Sequence, residues 1–280
     1  MQAIRRAMVV AGVLLAVSAW PGMAQDAPVA ASRPTLTAQE MEHFLANGNI
    51  LATISVSKGA TKARRVRMSD GRLTHDAQVQ DVDEAKAIFE VDPKHTEVNF
   101  KDSYRYNIAA YRLSVLLGLD NVPMSIERLV DRKPVAVTWW IDDVMMEEGG
   151  RRKKKTYGPN PTRTIGYMGM MQVFDELIQN RDRNLGNMLW TTDWKLWMID
   201  HTRAFRTGKD LLTPNALMRC ERALFDKLKT LTADQLTEVM GKTLLKDEVQ
   251  ALIVRRDKIV KLIESRIAEN GEAKTLYSLQ

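Results

Sequence analysis

Apolar and polar positions change their spacing near residue 100. Over residues 50–100 they fall in short β-branched runs with partial alternation, the period of half-buried strands. Residues 50–56, 65–68 and roughly 73–79 are predicted strands. Lys58-Gly59-Ala60-Thr61 and Ser69-Asp70-Gly71 are the turns between them, because Asp-Gly favours the backbone signs of a tight hairpin. Residues 81–90 read as a short helix. Ahead of the strands, Thr37-Ala38-Gln39-Glu40 has the form of a capping box and opens a helix that ends near Gly48. Beyond residue 104 the spacing becomes helical. Ile108, Tyr111, Leu113, Val115, Leu116 and Leu117 give residues 104–117 a broad apolar face, ended by Gly118 and Pro123. Residues 124–129 and 135–141 form an antiparallel pair. A helix over 165–179 carries Met168, Met171, Phe174, Leu177 and Ile178. Two short strands follow, 188–190 and 196–199. Three helices lie beyond Leu212; Thr232 caps the middle one and Asn270-Gly271 stops the last.

This order is an α+β plan in which a small sheet lobe precedes a mainly helical one. The predicted organisation is a leader over 1–24, a linker over 25–35, a small lobe over 36–141 and a large lobe over 142–280. The leader has Arg5 and Arg6, an apolar stretch over 7–19 and the small-x-small sequence Gly22-Met23-Ala24, the pattern of a cleavable export signal. Its apolar run is shorter than the roughly 20 residues of a membrane span. A retained N-terminal anchor is the alternative. The mature chain is expected in the periplasm or outside the cell, with no membrane span after cleavage.

Charge adds little. Removing 1–24 takes two arginines and no acid, so the net charge falls from +6 to +4. That mild basic bias gives no reason to expect a nucleic-acid partner. The run Arg151-Arg152-Lys153-Lys154-Lys155 reads either as a solvated loop or as a patch for an acidic substrate or anionic lipid. Asp142, Asp143, Glu147 and Glu148, just before it, read as a solvated acidic face or as a metal-binding cluster. The single cysteine, Cys220, excludes an intramolecular disulfide and reads as a buried small apolar residue. Four scattered histidines offer no zinc spacing, and no Ser-His-Asp or dinucleotide-binding pattern stands out.

The chemistry concentrates after the 165–179 helix. Asp182, Arg183, Asn184 and Asn187 share one loop, and Asp200 follows the apolar strand 196–199. Phosphoryl transfer needs a carboxylate to orient the nucleophile and oxygen ligands for a hard divalent cation. Asp182, Asn187 and Asp200 supply that set. An ordinary Asn/Asp-rich turn at 182–187, and a helix cap at Asp200, are the plainer readings. His201 reads as a satisfied polar neighbour or a metal contact, Arg183 and Arg203 as loop braces or phosphate contacts. Trp139, Trp140 and Ile141, where the lobes join, suit either core packing or an adenine ring.

Asp182-Arg183-x-x-Gly186-Asn187, then Ile199-Asp200-His201-Thr202-Arg203-Ala204-Phe205, resembles the catalytic and metal loops of the atypical kinases. That group includes the phosphatidylinositol 3- and 4-kinases, the bacterial HipA kinases and the secretory-pathway kinases of the Golgi. Ile108-Ala109-Ala110-Tyr111-Arg112-Leu113 is similar to their regulatory helix. The resemblance implies a two-lobed protein-kinase-like fold, with Asp182 as catalytic aspartate and Asn187 and Asp200 as ligands of Mg²⁺ or Mn²⁺. It also implies ATP as donor and a hydroxyl-bearing acceptor. In that group a small-lobe lysine pairs with a helix glutamate. Here the glutamate position is Asn107, and Gln78 and Gln80 stand where the lysine belongs. Lys101 or Lys86 is the substitute offered by the chain, and Gly59 the candidate phosphate-covering glycine. The expectation is therefore an exported kinase-like phosphotransferase, or a pseudokinase that binds nucleotide or metal and acts by contact.

Overall fold

The computed structural model describes residues 36–56, 63–92 and 95–279. The leader, the linker and Gly59 lie outside these residues. Thr37–Gln280 forms one compact unit.

The capping box closes as expected. The Thr37 hydroxyl accepts from the Glu40 amide, Glu40 accepts from Thr37, and α1 runs Ala38–Asn47. Strands β1 (Asn49–Val56), β2 (Arg64–Ser69) and β3 (Thr74–Gln80) follow. They join β6 (Ser125–Val130) and β7 (Lys133–Trp139) in one antiparallel sheet of order β1-β2-β3-β7-β6. Alternation sends Val66, Met68, Ala77, Val79, Val135 and Val137 to one face, where α1 covers them with Phe44 and Leu45. The β6–β7 turn puts Asp131 and Arg132 at positive φ, as a two-residue hairpin requires.

Residues 81–90 are not a helix. From Asp83 on they belong to β4 (Asp83–Asp92), paired with β5 (His95–Ser103) in a hairpin separate from the main sheet. The local composition suits a helix, but cross-strand pairing outranks propensity here. Phe89 stacks on Phe100 at 4.1 Å, and Phe100 is buried beneath the Arg203 guanidinium.

Helix α2 (Arg105–Leu116) belongs to both lobes. Ala109, Leu113 and Leu117 enter the large-lobe core, while Tyr111 touches both cores and Ile108 packs on Ala136 of the sheet. A second, three-stranded sheet follows: β8 (Val144–Glu147), β9 (Met188–Thr191) and β10 (Leu196–Met198). Between β8 and β9 lie α3 (Glu148–Lys154) and α4 (Pro161–Ile178). Helices α5 (Arg222–Thr230), α6 (Ala233–Met240) and α7 (Lys246–Asn270) complete the large lobe. Its core is built around Trp190, Phe174, Phe205, Leu177 and Ile263. Cys220 is in that core with its thiol pushed up to about 12 by burial, an inert apolar residue. Among the described residues no helix is long and apolar enough to cross a membrane.

The acidic and basic runs are not simply solvated. Both sit on or next to α3, where Glu148 is fully buried. Its carboxylate accepts from Arg151 Nε at 2.7 Å, Arg151 Nη2 and Arg152 Nε at 2.8 Å, and Trp190 Nε1 at 2.9 Å. Arg151 is buried with it, whereas Arg152, Lys153, Lys154 and Lys155 remain exposed.

Candidate functional site

Helix α4 begins on an Asn160 cap with Pro161 in its first turn and ends where Gln179 takes left-handed φ 50°. The chain leaves it as a loop held by its own amides. Asn180 Oδ1 accepts from the Asp182 amide at 3.0 Å, and Asn184 Oδ1 from the Gly186 amide at 2.9 Å. Arg183 is the brace. It grips Asp175 of α4 through two bonds of 2.8 and 3.0 Å, and its Nη1 donates to the carbonyls of Asn187 and Ile199, both at 2.8 Å. One buried guanidinium thereby holds the Asp182 loop against the strand that carries Asp200.

The side chains left on this support are the three that the sequence singles out. Asn187 donates its amide to the Asp182 carbonyl at 3.1 Å, which leaves its Oδ1 as an acceptor. The Asp182 carboxylate is partly exposed, with Arg203 at 3.9 Å. Asp200 sits at φ 53°, a left-handed conformation that Asp tolerates better than most residues. Its Oδ1 accepts from the Thr202 hydroxyl at 3.1 Å. Burial, then the charges of Asp102 and Asp182, raises its proton affinity above the ordinary carboxylate range. Among the described residues no three acidic, histidine or cysteine side chains form a metal cage by themselves. An amide oxygen and one or two carboxylates, completed by phosphate oxygens, is the donor set that suits Mg²⁺ or Mn²⁺.

His201 is buried and neutral: burial, and then the nearby Arg183 charge, holds its pKa well below the usual value. Its ring meets Phe174 edge-on and its Nε2 has no hydrogen-bond partner, so it is a packed residue rather than a fully satisfied one.

The lysine–glutamate pair of the resemblance has a neutral counterpart. Asn107 Nδ2 donates to Gln80 Oε1 at 2.7 Å, both side chains buried. Asn107 Oδ1 then accepts from the His201 amide at 2.8 Å. A single amide side chain joins β3, α2 and the Asp200 segment. Lys101 does not replace the missing cation there. Its Nζ lies 2.5 Å from Glu248 of α7, and it lines a separate cavity of about 610 Å³ with Lys86, Arg181 and Arg206. Strand alternation explains this. Lys101 and Asp102 must point to opposite faces of β5, and Asp102 takes the face toward Asp200.

Between the lobes is a cleft of about 510 Å³. Gln78, Trp139 and Trp140 line it from the sheet side, Leu189 and Ile199 from the large lobe. Arg65 lies over the Trp140 ring at 4.3 Å while paired with Asp76 at 2.5 Å. Trp139 serves the core as well, stacked on His75 at 3.9 Å. Asp102 is the residue in this region that sequence reasoning missed. Its only local signal is a place just before α2, and its neighbourhood depends on pairing β5 with β4.

A five-stranded small lobe, a helix shared by both lobes and paired loops bearing Asp182 and Asp200 define an atypical protein-kinase-like fold. No family model and no curated protein matches the sequence. Among solved structures, hydra Fam20 with a sugar is similar at TM-score 0.64 and 13% identity, over 86% of this chain and 92% of that one. The Golgi casein kinase is similar at TM-score 0.59 and 16% identity, over 86% of this chain and 78% of that one. The same kinase with Mn/ADP bound gives TM-score 0.57 at 15% identity, over 85% and 78%. At these identities the likeness is one of fold.

Proposed function

We propose that the protein is an exported phosphotransferase that uses ATP and Mg²⁺ or Mn²⁺ to phosphorylate a hydroxyl acceptor. The observation that carries this reading is the Arg183 brace, which fixes Asp182, Asn187 and Asp200 on one rigid support. The bound Mn and ADP of the similar Golgi casein kinase point to the same pair of ligands. Asn187 Oδ1 and the Asp200 carboxylate would hold the cation. When bound, it neutralises charge on the transferring phosphate. Asp182 accepts the hydrogen bond of the acceptor hydroxyl and orients that oxygen; its partial exposure suits a group that must meet a second substrate. Leu189 and Ile199 give the adenine an apolar floor. Asp200→Ala should lose metal-dependent nucleotide binding.

The Gln80–Asn107 pair favours a second reading, a pseudokinase that binds nucleotide or metal without turnover. The mature protein should be melted with ATP, with Mn²⁺ and with both, then incubated with labelled ATP and sugar, peptide and lipid acceptors. A stabilisation that needs both ligands, with label transferred, supports the enzyme. The same stabilisation without transfer supports the pseudokinase, and no stabilisation by any combination rejects both. Gln80→Lys combined with Asn107→Glu is expected to tighten ATP binding about tenfold by titration calorimetry. One charge-assisted contact to phosphate contributes about 1.5 kcal/mol.

A further inference from the structure

The β4–β5 hairpin is clamped to the segment that carries Asp200. Ser103 donates its amide to the Thr202 carbonyl at 2.9 Å. Glu97 pairs with both Arg203 and Arg206 at 2.7 Å, and Lys101 with Glu248 at 2.5 Å. Between these clamps stands Asp102, 6% exposed. Its Oδ1 is buried and has no hydrogen-bond partner. The Thr202 hydroxyl lies beside it, but that hydroxyl has one proton and donates it to Asp200 Oδ1. Arg203, the nearby cation, is engaged by Glu97 and faces Asp182.

A buried carboxylate oxygen without a donor is costly, and more so with the charges of Asp182 and Asp200 close by. The single Thr202 proton cannot serve both Asp102 and Asp200. A divalent cation shared with Asp200 would supply the missing positive charge and an acceptor's natural partner. The position on α2 where the kinase resemblance expects an acid is the neutral Asn107, so the site is one carboxylate short on that side. The hairpin brings one in from a different element.

We propose that Asp102 is a metal-ligating carboxylate of this site, acting with Asp200 and Asn187. The inference rests on the proposed metal site and adds a ligand to it. The set of two carboxylates and one amide leaves room for phosphate oxygens, as Mg²⁺ and Mn²⁺ sites of this class do.

The test is Mn²⁺ affinity, measured by electron paramagnetic resonance of free Mn²⁺ with the full mature chain and a non-hydrolysable ATP analogue. Asp102→Asn is expected to weaken Mn²⁺ at least tenfold while the metal-free melting temperature stays equal or rises, since an uncompensated buried charge has been removed. A purely structural Asp102 would instead lower that temperature and leave Mn²⁺ affinity unchanged, which overturns the inference. Asp102→Cys is the second variant. A thiolate ligand should shift preference from Mn²⁺ toward the softer Cd²⁺; an unchanged preference overturns it as well. Asp200→Asn is the control. If it loses Mn²⁺ while Asp102→Asn does not, the site reading stands and the Asp102 ligand is rejected. If the wild-type chain binds no Mn²⁺, both are rejected.

Discussion

Asp200→Ala is expected to lower phosphotransfer at least about 10³-fold and to remove the Mn²⁺-dependent part of nucleotide binding, with little change in the metal-free melting temperature. The loss follows from electrostatics. A carboxylate that neutralises charge where it develops is worth on the order of 10²–10³ in rate, and removing the cation it holds adds to that. Stability changes little because two effects oppose. Alanine at φ 53° is strained by about 1–2 kcal/mol. Against this, a half-buried carboxylate near the charges of Asp102 and Asp182 has gone. Asp200→Asn keeps the left-handed turn and should show the same functional loss with even less strain. Single-turnover transfer and Mn²⁺-dependent melting check it. Full activity in either variant would remove Asp200 from the chemistry.

Glu148→Ala is expected to be strongly destabilising, costing about 3–5 kcal/mol. It leaves Arg151 buried without its counter-ion and Trp190 Nε1 without an acceptor. For a chain of this size that corresponds to a fall of roughly 10 °C in melting temperature. The effect should reach the Asp182 loop, because Gly149, the next residue of α3, lies under Leu185. The same carboxylate predicts an acid sensitivity. Burial alone would raise its pKa, but Arg151, then Arg152 and Trp190, outweigh it and hold the folded value at about 2 against 4.5 ordinarily. A depressed folded pKa means that the stabilisation is complete above pH 4.5 and is lost as pH falls from 4.5 toward 2. Denaturant melts of wild type and Glu148→Gln at pH 7 and pH 3 test this. The gap between them should narrow at the lower pH.

The neutral Gln80–Asn107 link bears on both functional readings. In a lysine–glutamate pair the contact holds a phosphate-facing cation. Here it holds only geometry, tying α2 to the sheet and to the His201 amide. Nucleotide affinity would then depend more heavily on the cation and on the apolar cleft. Adding Asp102 to the metal set fits that dependence, since the negative charge absent from Asn107 reappears on β5.

Much of the fold was legible because its signals are local. The Thr37 and Thr232 capping boxes, the Asp70-Gly71 turn and the helical spacing after Tyr104 each act within a few residues. So do the turn bonds of Asn180, Asn184 and Asn187, which is why the 182–187 loop stood out as a unit. The meeting of Gln80 with Asn107 was anticipated only through the kinase resemblance.

What the sequence by itself determined is the order of the lobes, most element types and the pairing of the Asp182 loop with Asp200, since Arg183 closes that loop within about one supersecondary unit. Tertiary structure alone decided the rest. Residues 81–90 became a strand because β5 offered a partner, Lys101 went to Glu248 across 147 positions of chain, and Glu148 was buried by Trp190 from another element. Asp102 joined the site for the same reason. The short-range preferences of these residues are weak, and the interactions that outweigh them come from distant parts of the chain, which no local pattern records.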